Sequence, residues 1–485
     1  MFLLAPVMRE MARMETPSTI IPRISARASR ESLFMALLYD IFHLASSEKR
    51  RFATCLARVY TEQLSKEGVV VSKFKRSRHP MDDEAWSALR SEMLQVFTPG
   101  APIDEVALFA GRQKLVQKVR DAVVSKGRHA AIFGERGVGK TSLSSIFHFD
   151  LSKTRKVVYV YIQCGSEDDF QTIWQRAFRR IVFHIDGQEY GASELVKGDV
   201  TPDEVEVVLA NFGSALLPII VFDEFDRVKD EKTKILMSET IKQLSNSPTS
   251  CTLILVGVAD DVTEIILQHH SISRALVQVR MPRMYPDELK EIVTSRLRGT
   301  PLTITDDALW RITYLASGLP FYSHALGQAC ALLAIQNRNP VITEETVSAS
   351  INECFNDLDQ TLIDAYVKAV TETRKGNIFK HVLAACALAE QDELGRFSAA
   401  SVEEPLSAIV GKPMKGPAFS FHLNELCGAE RGAILAKSGN RSHYRFRFVQ
   451  PIIQPFITMK SLSTGVMDND LLTRFSIERQ KSLFA

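Results

Sequence analysis

Eight consecutive residues, Gly134, Glu135, Arg136, Gly137, Val138, Gly139, Lys140 and Thr141, meet the spacing GxxxxGK(S/T), with Ser142 directly after them. Glycines at 134, 137 and 139 remove the Cβ from three points of the loop, so successive backbone N–H groups can turn toward one anion. Lys140 then reaches the β- and γ-phosphates of a bound nucleotide, and the Thr141 hydroxyl offers Mg2+ the oxygen ligand that a hard cation prefers. Further along, an apolar run ends in Val221, Phe222, Asp223, Glu224, Phe225, Asp226 and Arg227. A carboxylate at the carboxyl end of a buried strand faces the crevice where α/β sheets bind ligands. That position suits Asp223 to hold the metal through water and Glu224 to polarise an attacking water. Together these residues point to binding of ATP with Mg2+ and to its hydrolysis.

Such a loop works only between a strand and a helix, and the surrounding pattern supplies both. Strands are expected at 129–133, 157–162, 217–222, 252–258 and 275–281, each a nearly continuous apolar run, as strands covered on both faces require. Helices are expected from Phe170 to Ile185, after an N-cap at Thr201 with Pro202 in its first turn, and from Lys232 to Leu244. The alternation predicts an α/β fold, a five-stranded parallel sheet carrying the phosphate loop. After Pro282 helical spacing takes over, near 286–297, 305–316, 320–336 and 343–355, as a helical lid. Beyond residue 356 more helices precede two strand-like runs, Ile434 to Lys437 and Tyr444 to Phe448, joined by a segment containing Gly439 and Asn440. Helices followed by a hairpin predict a C-terminal winged helix. Ahead of the sheet, residues 28–66 read as a helical hairpin, Lys73 to Arg78 as a basic linker, and Trp86 to Phe97 as a further helix. The expected domains are an N-terminal helical region at 1–100, a nucleotide-binding domain at 101–283, a lid at 284–355, a winged-helix-like domain at 356–464 and a tail at 465–485.

Bulk composition narrows the classes. With 485 residues, 45% of them hydrophobic, the chain can fill several cores. A formal net charge of +2 gives no global field for nucleic acid, so any basic surface is local. The seven cysteines stand singly, without a CxxC pair, which argues against a zinc site and a disulfide framework. No run reaches the roughly 18 apolar residues that a spanning helix needs, and the first residues lack the positive region of a secretory signal. A cytoplasmic protein without membrane contact is the expectation.

The phosphate loop, the Asp223–Glu224–Phe225–Asp226 strand end and the helical lid together resemble the AAA+ ATPases of the origin recognition complex and initiator-like branch, over about residues 105 to 355. The segment Phe109, Ala110, Gly111, Arg112 is similar to one that packs near the adenine in related bacterial ATP-binding proteins, which implies nucleotide contacts for Gly111 and Arg112. The resemblance also implies an arginine finger at Arg274, reaching the γ-phosphate held by a neighbouring copy and so coupling hydrolysis to homo-oligomerisation. At the tip of the fourth strand it implies a water-orienting sensor, here Asp260 or Asp261 where the family more often has Asn, Ser or Thr. The lid departs from the initiators: residues 317–324 contain no arginine. Gly318, Leu319 and Pro320 instead resemble the lid motif of signal-transducing (STAND) NTPases, which implies that Pro320 lies against the base. His324 stands where the initiators would place the missing arginine.

Between residues 431 and 467 the chain has Arg431, Lys437, Arg441, Arg445, Arg447 and Lys460 and no acidic residue. Lys437, Arg441, Arg445 and Arg447 on the expected wing are candidates to contact duplex DNA phosphates, giving salt-dependent and largely sequence-independent affinity. The expected function is an ATP-binding and ATP-hydrolysing switch that assembles into oligomers and acts on DNA as an initiator or loader. The alternative is a signalling NTPase whose N-terminal helices bind protein partners, as in prokaryotic defence against phage, with the winged helix packed on the ATPase as a structural arm.

Overall fold

The computed structural model describes residues 81–475, apart from 101–110, 153–155, 186–187, 197, 213–215, 249–250, most of 260–273, 356–359, 372–377, 393 and 441–442. The expected hairpin at 28–66 and the basic stretch at 73–78 lie outside the described residues. The described chain opens with α1 (Asp83–Val96), capped by the Asp82 carboxylate, which accepts from the Ala85 amide at 2.8 Å. Next come α2 (Gln113–Val124) and β1 (His129–Gly134), all six residues of which are buried.

β1 leads into α3 (Lys140–Ile146), then β2 (Lys156–Gln163), α4 (Phe170–Phe178), α5 (Pro202–Ala210), β3 (Leu216–Asp223), α6 (Glu231–Asn246), β4 (Thr252–Val258) and β5 (Leu276–Arg280). The five strands pair in parallel in the order β2-β3-β4-β1-β5. β4 therefore lies between β1 and β3, so the loop after β1 and the acids after β3 rise from one edge of the sheet on either side of a shared neighbour. On one face, Trp174 and Phe178 of α4 pack toward Phe222 and Phe225, with the Trp174 and Phe222 ring centroids 5.2 Å apart. The Thr201 hydroxyl caps α5 as expected, accepting from the Glu204 amide.

One expectation fails locally. The helix begun at Phe170 ends at Phe178, and Val182–Ile185 instead forms a short antiparallel pair with Gln188–Gly191. Arg179 and Arg180 fall on the polar positions of a helical period that continues through Ile181 and Val182 to Ile185, and Asp186 and Gly187 are a hairpin turn signal that outweighs that period.

The lid is α7 (Pro286–Leu297), α8 (Asp306–Leu315), α9 (Pro320–Gln336) and α10 (Glu344–Ser350), fastened by a two-residue parallel pair of Thr303–Ile304 with Val341–Ile342. Beyond it follow α11 (Gln360–Val370), α12 (Phe379–Leu388), β6 (Phe397–Ser398), α13 (Ala399–Val410), α14 (Gly416–Glu425), β7 (Leu435–Ser438), β8 (Arg445–Phe448) and α15 (Ile453–Ser463). The three strands pair antiparallel in the order β6-β8-β7 behind α12 to α14, which is the expected winged helix. Alternation along β8 buries Phe446 and Phe448 and exposes Arg445 and Arg447.

Candidate functional site

The loop from Gly134 to Gly139 bends where its glycines allow it: φ is 148° at Gly134, 86° at Gly137 and 93° at Gly139. At Gly134 a Cβ would stand 2.4 Å from the Met281 carbonyl oxygen, so only glycine lets the loop lie this close to the end of β5. Val138 is buried beneath the loop, and Ser142 sits in the first turn of α3. Lys140 is buried and donates to the carbonyls of Gly134 at 3.0 Å and Glu135 at 2.8 Å. Burial pulls its ammonium down to about 8, against the opposing charges of Asp226, Asp223 and Glu135.

Across the edge, Thr141 donates its hydroxyl to Asp223 Oδ2 at 2.7 Å. Two further donors converge on the same carboxylate: the Tyr161 phenol on Oδ2 at 2.7 Å and the Glu224 amide on Oδ1 at 2.8 Å. Glu224 has a φ of 54°, in the left-handed region, where the strand turns sharply at its end. Its Oε2 accepts from Arg227 Nη1 at 2.8 Å and Gln163 Nε2 at 3.1 Å. Burial pushes the Glu224 carboxyl up, but those two hydrogen bonds and the charges of Arg227 and Arg136 together hold it below its ordinary value. Asp226 Oδ1 accepts from the Val258 amide at 2.9 Å, tying the acid-bearing turn to the tip of β4. Tyr161, Gln163, Asp226 and Arg227 thus shape the site, although sequence reasoning gave them no role. The donor set of one hydroxyl and a carboxylate beside an ammonium is all-oxygen, and it fits Mg2+.

On the lid side, a Cβ at Gly139 would stand 3.8 Å from Pro320 Cγ, so the first turn of α9 borders the loop. Arg112 caps α2 with a φ of 58°, and it donates to the Pro282 carbonyl at 2.6 Å and Met281 Sδ at 3.4 Å. Burial lowers its guanidinium to about 10 despite the nearby Glu288. The amides of Gly111 and Arg112 donate to Glu291 Oε2 at 3.0 Å and Glu288 Oε1 at 2.8 Å, both on α7, so this segment is tied to the lid. His324 turns elsewhere. Its Nδ1 accepts from the Thr98 amide at 3.1 Å, and burial with the nearby Arg296 charge drops the imidazole to about 3, so it is a neutral residue of the α1–lid contact.

The winged helix also reaches the loop. Arg283, just past β5, donates to Glu135 Oε2 at 2.6 Å, to Gln454 Oε1 at 2.9 Å and to the Ser317 carbonyl at 3.3 Å. Gln454 is fully buried and donates in turn to the Ala387 carbonyl at 2.9 Å. A Cβ at Gly137 would stand 3.3 Å from Ile452, whose carbonyl accepts from the Tyr322 phenol at 2.6 Å. Between loop and wing lies a cleft of about 350 Å³ lined by Glu135, Arg136, Arg283, Arg447 and Pro451 among others.

The basic wing residues do not share a face. In the β7–β8 register Lys437 is opposite Phe446 and Ser438 opposite Arg445, which sets Lys437 on the other face from Arg445 and Arg447. Lys437 donates to Asn424 at 2.7 Å and lies 3.5 Å above the Tyr444 ring, whereas Arg447 lines the cleft at the phosphate loop. Arg274 is exposed just ahead of β5. Asp260 and Arg441 lie outside the described residues. Among the described residues no three His, Cys, Asp or Glu side chains cluster as a metal site, and no helix is long and apolar enough to cross a membrane.

No curated protein matches the chain. Among solved structures, the Aeropyrum pernix ORC1 protein in complex with DNA matches at 15% identity and a TM-score of 0.41, over 77% of this chain and 96% of that one. The Aeropyrum pernix ORC2 protein, in ADPNP-ADP complexes, matches at 13% identity and a TM-score of 0.43, over 80% and 98%. A point mutant of the Thermotoga maritima RuvB protein matches at 14% identity and a TM-score of 0.38, over 70% and 93%. The loop, the paired acids and the Gly318–Leu319–Pro320 lid all fall within residues 94–346, more than half of the chain, and these match the family described as Novel STAND NTPase 1, to which this chain belongs.

Proposed function

We propose that this chain is an ATP-driven switch in which the phosphate loop is read by the winged helix, and whose N-terminal region delivers the output to a protein partner, as in a signalling response such as defence against phage. The observation that carries this reading is the hydrogen-bonded chain from Glu135 through Arg283 to Gln454, which joins the loop to a buried residue of α15. A triphosphate entering between Gly134 and Thr141 would draw Lys140 off the loop carbonyls, shifting the backbone that carries Glu135. Mg2+, held by Thr141 and Asp223, would supply neutralising charge between the phosphates. Glu224, released from Arg227 and Gln163, would orient water for hydrolysis, and Asp260 would position it further. Arg274 of a second copy would complete the charge, so hydrolysis and assembly would be coupled. Gly111, Arg112 and Pro320 would border the base.

Binding of a fluorescent ATP analogue with Mg2+ tests the core of this. Lys140→Ala is expected to lose at least about tenfold in affinity, the scale of one charge-assisted contact. Unchanged binding would sink the proposal.

A second reading, action on duplex DNA, is favoured by the exposed Arg445 and by Lys437 beside α14. It predicts an ATPase rate stimulated by duplex DNA, the stimulation fading with added salt. No stimulation, together with unaltered behaviour of a variant with Lys437, Arg441 and Arg445 changed to Ala, would leave the signalling reading alone.

A further inference from the structure

Both oxygens of the Asp223 carboxylate are engaged by the protein itself. Oδ1 accepts from the Glu224 amide, and Oδ2 accepts two hydroxyl protons, from Thr141 and from Tyr161, each at 2.7 Å. A carboxylate oxygen offers about two lone-pair directions, so Oδ2 is filled. The Thr141 bond comes with the phosphate loop. The Tyr161 bond is additional: it arrives from β2, where Tyr161 pairs in register with Val221, two residues before Asp223. Tyr161 and Asp223 lie on adjacent strands, on the same pleat face, and the ladder fixes the phenol over the carboxylate.

Mg2+ prefers oxygen ligands and at this site would draw on the lone pairs of Asp223. We propose that the Tyr161 hydroxyl, by occupying one acceptor direction on Asp223 Oδ2, competes with Mg2+ for that carboxylate, so that Tyr161 holds the metal-free site closed and sets its Mg2+ requirement. Tyr161 is a positioning residue acting through Asp223. The inference rests on the ATP and Mg2+ reading above.

Tyr161→Phe removes the donor and keeps the ring, so the fold around β2 is retained. One acceptor direction on Oδ2 would then stand open, and Mg2+ would meet no competitor there. The experiment measures affinity for a fluorescent ATP analogue across a Mg2+ titration and again in excess chelator, for wild type and Tyr161→Phe. The expected result is a ratio of affinities with and without Mg2+ that rises about tenfold in the variant, the scale of one hydrogen bond to a charged group, with half-saturation at lower Mg2+. A role confined to packing would move both affinities together. A ratio that is unchanged or lower overturns the inference while leaving the nucleotide site standing. A wild type that binds no analogue at any Mg2+ concentration overturns the nucleotide reading and this inference with it.

Discussion

Lys140 carries a cost in the free protein that a phosphate would relieve. Its ammonium, lowered to about 8 by burial, is held by two carbonyls, with carboxylates acting only through space. In the free protein the proton therefore leaves near pH 8, while a lysine facing a triphosphate keeps it. Nucleotide affinity is expected to fall as pH rises from about 8 toward 10, by up to about tenfold per unit, as measured by titrating the analogue at fixed free Mg2+. A flat profile over that range would contradict the lysine's role. Stability of the free protein runs the other way. The burial cost is present in full below about 8 and is relieved toward the unfolded value of 10.5, because there the unfolded chain binds the extra proton. Lys140, Thr141, Asp223 and Glu224 were legible as a pattern because loop and strand end each announce themselves within a few residues. Tyr161, Gln163 and Asp226 were not, since their roles depend on the β2–β3 register and on the approach of β4, which no local spacing encodes.

At the level of elements, all five sheet strands were legible because strands covered on both faces must be continuously apolar. The short antiparallel pair at 182–191 was not, because Val182 and Ile185 continue a helical period that began at Phe170. The contact between α1 and the lid also escaped the sequence, since its partners are 200 residues or more apart, as in the Arg296 bond to the Val96 carbonyl. Phe97 is fully buried there, and a Cβ at Gly327 of α9 would stand 2.5 Å from its ring. Gly327→Ala is expected to lower stability by about 1 kcal/mol: overpacking costs about 1–3 kcal/mol and the better helix former returns somewhat less than 1. Chemical denaturation measures it, and a raised midpoint would mean that Phe97 moves aside freely.

At the scale of the described molecule, the winged helix rests on the sheet edge that bears the phosphate loop, through Arg283, Ile452 and Gln454. Sequence could place a winged helix after the lid, but Ile452, just before α15, and Gln454 within it look like ordinary helix residues until the loop is seen beside them. Arg283→Ala is expected to free this contact. Hydrogen exchange across 447–454 should rise in the nucleotide-free protein, and ATP should then add little further change. Protection equal to wild type would show that Ile452 and its neighbours hold the wing unaided. At the opposite end of the lid, Arg296 and Gln328 grip the last carbonyls of α1, at Val96 and Phe97. α1 has 14 residues, about 21 Å, and its other end is fastened to the lid as well, where Asp83 pairs with Arg338 just past α9. Held at both ends, α1 is a splint that would travel with the lid as one body.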